Sequence, residues 1–187
     1  MSKYSRRSIL KILASTSVAA AGFYPKHSSA IAPTAGKLNY GLLFDEADID
    51  FISQNFESDL FADLRERLTG FDYVAEYDFF RNEIRYNDQL FTVARLASAI
   101  EEQAFLFLVS GDEQASEFVF TAVEELMKFE RWDFFLDGDK PIGVQRAPYA
   151  TLAVSLACDW LGEAVDDVTR KRWMRTMGER GLTACYN

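Results

Sequence analysis

Between Gln89 and Ser110, apolar side chains recur at Leu90, Val93, Ala97, Ile100, Ala104 and Phe107, alternately three and four residues apart. That spacing lines them along one face of an α-helix. Gly111 follows as a C-cap, and Asp112 starts a further helix reaching about Phe129, with Val119, Ala122, Leu126 and Phe129 inward. So little chain separates the two helices that they must fold back as an antiparallel αα-hairpin.

The same reading extends in both directions. Pro33, Gly36 and Gly41 mark an extended lead-in over 33–44. A first helix starts at an N-cap, Asp45, carries Ile49, Ile52, Phe56, Leu60 and Leu64 on one stripe, and stops at Gly70. A second, over 72–87, alternates Tyr73, Tyr77, Phe80 and Ile84 with many charges, as a surface helix does. Beyond the hairpin comes a long loop over 130–146 holding Trp132, Phe134, Phe135, Asp137 and Asp139; loops of this length are often functional. A helix over 147–161 is apolar nearly all round, from Tyr149 and Leu152 to Trp160, and is expected to be central. Gly162 ends it and Asp166 caps a last helix whose Trp173, Met174 and Met177 face back. No strand-like alternation occurs, so the fold class expected is all-α, built of antiparallel helix hairpins.

The first 32 residues stand apart. They hold Lys3, Arg6, Arg7, Lys11 and Lys26 and no acid, so the remaining chain carries 15 basic against 29 acidic residues, a net charge of −14. Such an excess argues against a nucleic-acid surface, which needs a dense basic face. The single histidine, His27, also lies here, leaving residues 33–187 without an imidazole for Ser-His-Asp or Cys-His catalysis or for a His-ligated metal. Cys158 and Cys185 show no zinc or CxxC spacing, and whether they pair is open. No metal and no cofactor is implied.

Ser5-Arg6-Arg7-Ser8-Ile9-Leu10-Lys11 resembles the twin-arginine translocation motif, departing from it at Ile9, where that family usually has Phe. The uncharged run from Ile12 to Tyr24 is too short to cross roughly 30 Å of hydrocarbon. Ser28, Ala30 and Ala32 supply small residues for cleavage. The resemblance implies a leader over 1–32, the Tat translocase as partner, and a periplasmic or secreted product over 33–187 without a membrane span.

Three stretches resemble the N-terminal helical domain of heparinase II/III-like and related alginate lyases. They are Leu42-Leu43-Phe44; Leu106 to Ala115 with its Ser110-Gly111-Asp112-Glu113 turn; and Leu152 to Leu161, ending Cys158-Asp159-Trp160-Leu161 where the family often reads Tyr-Asp-Trp. Asp167 to Leu182, with Arg170-Lys171-Arg172-Trp173, also fits. The resemblance implies part of an incomplete α/α toroid that binds an anionic polysaccharide, with a β-sheet domain following, and β-elimination on uronate-containing glycans. In that chemistry a neutralised uronate carboxylate and a positioned base cooperate. The catalytic residues of the family are expected downstream of Asn187, so 33–187 reads as a truncated N-terminal segment that is inactive alone.

Within the segment, Arg146 and Tyr149 stand where loop meets helix. Arg146 is suited to pair with a sugar carboxylate or with loop acids, and Tyr149 to stack on a sugar or to join the core. Trp132 is either an aromatic sugar platform or a pin between hairpins. Asp159 reads as a structural acid that caps a helix or pairs with an arginine, with a catalytic carboxylate as the other reading. Arg170-Lys171-Arg172 with Arg175 reads as a solvated face, and the neighbouring pairs Glu101-Glu102 and Glu124-Glu125 point apart on their helices and make poor acid–base couples. Two other functions fit the same pattern: a toroidal glycoside hydrolase, which needs two carboxylates facing across a groove, and a non-catalytic helical-repeat binding scaffold, which a fixed repeat period would mark.

Overall fold

The computed structural model describes residues 37–133, 135–136, 140–141 and 145–183. Arg6 and Arg7, expected to belong to a leader, lie outside them, as do His27 and Cys185. The described chain is all-α. Helix α1 is Glu46–Asn55, α2 Ala62–Thr69, α3 Tyr73–Asn82, α4 Ala94–Ser110, α5 Glu113–Leu126, α6 Arg146–Trp160 and α7 Asp167–Thr176. A π-helical turn, Gln89–Val93, leads into α4, and another, Met177–Leu182, continues α7.

Acidic N-caps begin most of these helices. Asp45 and Asp48 form a capping box on α1, the Asp48 N–H donating to Asp45 at 2.9 Å and the Asp45 N–H to Asp48 at 3.1 Å. Asp72, Asp112 and Asp166 accept amides from the first turns of α3, α5 and α7. Each such cap contributes about 1 kcal/mol. At the α4–α5 turn, Gly111 adopts φ 71°, a left-handed conformation that costs glycine nothing.

The single long helix expected over 45–70 is instead two. The chain leaves helical geometry after Asn55 and re-enters it through a 3-10 turn, Asp59–Phe61. The carbonyls freed at Phe56 and Ser58 accept from the Arg65 guanidinium, which stabilises the break, and Leu60, expected inward, is 71% exposed. Similarly, α3 ends at Asn82 instead of continuing to Asn87.

Packing centres on α4, which lies against both α5 and α6. Ile100 and Leu126 are fully buried, each contributing about 1.5–3 kcal/mol by leaving water. On α6 four of the nine buried positions are alanines, Ala147, Ala150, Ala153 and Ala157, which lets α4 and α6 approach closely. Because α5 returns from the end of α4, α6 starts beside the start of α4 and runs parallel to it. The ends agree, since Phe105 meets Trp160 with ring centroids 5.9 Å apart. Phe44 from the lead-in covers that end by stacking on Trp160 at 5.8 Å.

The long loop carries one unexpected feature, a two-residue antiparallel pair in which Phe135 faces Pro141 and Leu136 faces Lys140. It is too short to change the fold class. Trp173 is buried as expected, whereas Met174 points to solvent at 41% exposure. Among the described residues no helix is long and apolar enough to cross a membrane.

Candidate functional site

Helix α6 is gripped by a buried carboxylate at each end. At its start, Asp133 accepts the amides of Gln145, Arg146 and Ala147 at 2.8, 3.2 and 3.2 Å. Three otherwise orphaned N–H groups are thereby satisfied, and the negative charge sits at the positive end of the helix dipole. At its other end, Asp159 is fully buried and accepts from the backbone N–H groups of Tyr40 and Gly41 through one oxygen and of Leu42 through the other, at 2.6, 3.0 and 2.8 Å. The Asn39 amide adds bonds to the Cys158 and Gly162 carbonyls. Asp159 is therefore a structural acid, as its position suggested, but its partners are backbone amides of the lead-in and not an arginine. Gly162, at φ 52°, passes so near the Lys37 carbonyl that a Cβ has no room there.

The three residues singled out for ligand contact fare differently. Trp132 is fully buried and donates its indole N–H to the Leu126 carbonyl at 3.2 Å. It has no open face for a sugar and is the pin between hairpins, because its ring packs where the second π turn passes at Gly181. Arg146 opens α6, half-buried, with a side-chain Nε that is buried and lacks a hydrogen-bond partner. The loop acids weighed as its partners, Asp137 and Asp139, lie outside the described residues. Tyr149, one turn on, is 50% exposed, and Leu152 beside it 48%. Structure thus brings Arg146 and Tyr149 together on the first turn of α6 and removes Trp132 from the set.

Charged groups elsewhere are mostly engaged. Arg172 forks onto Glu124 at 2.6 and 2.8 Å, and the Trp173 indole donates to the same carboxylate at 2.6 Å. Burial pushes the Glu124 carboxyl up, but these hydrogen bonds outweigh it and hold the group below the usual range. Glu125 turns to the Tyr86 hydroxyl and Lys128 instead, so the two adjacent acids do diverge. Arg170, read as solvated, donates to the Gly162 and Val165 carbonyls at 3.0 and 2.6 Å and helps lock the α6–α7 turn. Glu101 is raised by burial and by neighbouring Glu102.

Among the described residues two tyrosines are shifted, both upward. Burial, with Asp112 and Tyr77 adding to it, pushes Tyr73 to about 12, and its hydroxyl donates to the buried Gln103 at 2.5 Å. Burial likewise raises Tyr86, followed by Glu125. Cys158 is a buried free thiol pushed up to about 11 mainly by burial, hence unreactive. Among the described residues no group of acids, cysteines or histidines could hold a metal ion.

One concave region was not evident from sequence. A cleft of about 410 Å³ opens between the end of α3 and the first π turn, bordered by Asn82, Arg85, Phe91, Thr92 and Arg95 over the Phe79 ring. Reading 72–87 and 89–110 as two continuous helices hid it; Asp88, which caps the π turn, was the available signal.

The fold and these surfaces define an all-α helical-hairpin protein. The chain matches no family model, no curated protein and no solved structure.

Proposed function

We propose that residues 33–187 are the hairpin portion of an incomplete α/α toroid that binds anionic, uronate-containing polysaccharide, in an exported protein of the polysaccharide lyase kind. The observation carrying this reading is the outer face of α6. A half-exposed Tyr149 sits one turn from Arg146, with exposed Leu152 continuing the ridge, on a helix parallel to α4 and separated from it in sequence by the returning helix α5. A phenol stacks on a sugar ring and a guanidinium matches a carboxylate, so the pair suits an acidic glycan. Twin-arginine export carries such a protein to where polysaccharides are found.

Binding, and not turnover, is the role assigned to this segment. Residues 33–187 hold no histidine to serve as a base.

The test is titration with alginate, heparin-like and pectin-like oligosaccharides, following affinity and the ultraviolet absorbance of unsaturated uronate together. At least one polymer should bind, Tyr149→Ala and Arg146→Gln should each weaken it about tenfold, and absorbance should stay flat. Failure of all three polymers to bind, or binding indifferent to both substitutions, overturns the reading; turnover by residues 33–187 overturns the division of roles.

A further inference from the structure

We propose that the cleft between α3 and α4 is a binding site for a small monocarboxylate carried on a single six-membered ring, either aromatic or a sugar acid. Its lining shares no residue with the Arg146–Tyr149 face of α6, and it does not rest on the polysaccharide reading.

Three features converge there. First, Arg85 borders the cleft as an exposed residue, and its guanidinium makes no hydrogen bond or ion pair among the described residues. Its neighbour Arg95 is committed: it reaches Glu76 at 2.8 and 3.1 Å and lies 3.8 Å over the Phe79 ring. An uncommitted guanidinium presents a planar fork of donors that a carboxylate accepts in two parallel bonds. Second, Phe91 stands at the mouth 71% exposed, an aromatic surface that one face of such a ring can cover. Third, Phe91 belongs to a π-helical turn, a local geometry that tends to mark functional positions. That turn is fixed by Asp88, which accepts the Phe91 N–H at 3.0 Å.

The remaining lining sets the ligand class. Glu83 and Asp88 also border the cleft, and their charges oppose a phosphate dianion or a polyanion while tolerating one carboxylate paired with Arg85. The Asn82 amide nitrogen is already given to Asp78 at 2.7 Å, leaving its carbonyl oxygen to accept from a ligand hydroxyl. A cleft of about 410 Å³ suits a single ring and its carboxylate.

The experiment is calorimetric or NMR titration of the full chain with sodium benzoate, sodium glucuronate and, as the uncharged control, benzamide, on the wild type and on Arg85→Gln, Arg85→Lys and Phe91→Ala. Melting curves on each variant check the fold. One of the two acids should bind, the preferred one identifying the source, with perturbed amides confined to 82–95. Arg85→Gln should weaken binding about tenfold or more, Arg85→Lys less, and Phe91→Ala about fivefold, from the lost fork and ring contact. Benzamide binding as well as benzoate, neither acid binding, or affinity unchanged in folded Arg85→Gln would each overturn the proposal.

Discussion

Helices α4 and α6 start side by side at the same end of the protein, yet their first turns are secured by opposite devices. At α6, Asp133 is 1% exposed and holds three amides, with the fully buried Trp132 ring beside it. At α4, Asp88 holds one amide at a partly exposed π turn, and the aromatic displayed there, Phe91, faces water. An aromatic and an acid occur at both helix starts, so residue type does not separate a structural junction from an open one. What separates them is how many orphan backbone donors the acid satisfies and whether the aromatic finds a packing partner. A junction closed in this way commits its acid and its buried aromatic to stability, and a partly open one leaves the corresponding side chains for a ligand.

Substitutions should expose the difference. Trp132→Ala should cost about 3–5 kcal/mol, since it empties a fully packed site; chemical denaturation measures it, and a loss under about 1 kcal/mol would mean the indole is not a pin. Asp133→Ala should follow at about 2–3 kcal/mol, because it strands three amides at a helix start, read in the same way. Asp88→Ala removes one exposed cap and should cost about 1 kcal/mol; an effect matching that of Asp133→Ala would erase the contrast. Phe91→Ala should change stability by less than about 0.5 kcal/mol, with a melting temperature near that of wild type, and a large loss would show that its exposed ring is part of the core.

Much of the framework was legible in the residues, and what escaped has physical causes. The α4–α5 hairpin was readable because its apolar period is unbroken and a glycine then an aspartate mark the turn. The break between α1 and α2 was not, because the stripe through Phe56 and Leu60 continues across it and the Arg65 contacts that stabilise the break are tertiary. Asp159 could be recognised as structural, but its partners at Tyr40 to Leu42 lie 117 to 119 residues away, beyond any local pattern. Trp132 carried two readings that only burial could separate. The cleft at Arg85 and Phe91 was hidden because charged residues between two helices read as the end of one and the start of the next.

Native-state amide hydrogen exchange compares the two helix starts within one sample. The amides of Gln145, Arg146 and Ala147 should exchange only through openings close in free energy to global unfolding, while the Phe91 amide should exchange through a local opening of much lower cost. Equal protection at the starts of α4 and α6, or greater protection at Phe91, would contradict the division between a closed structural junction and an open binding rim.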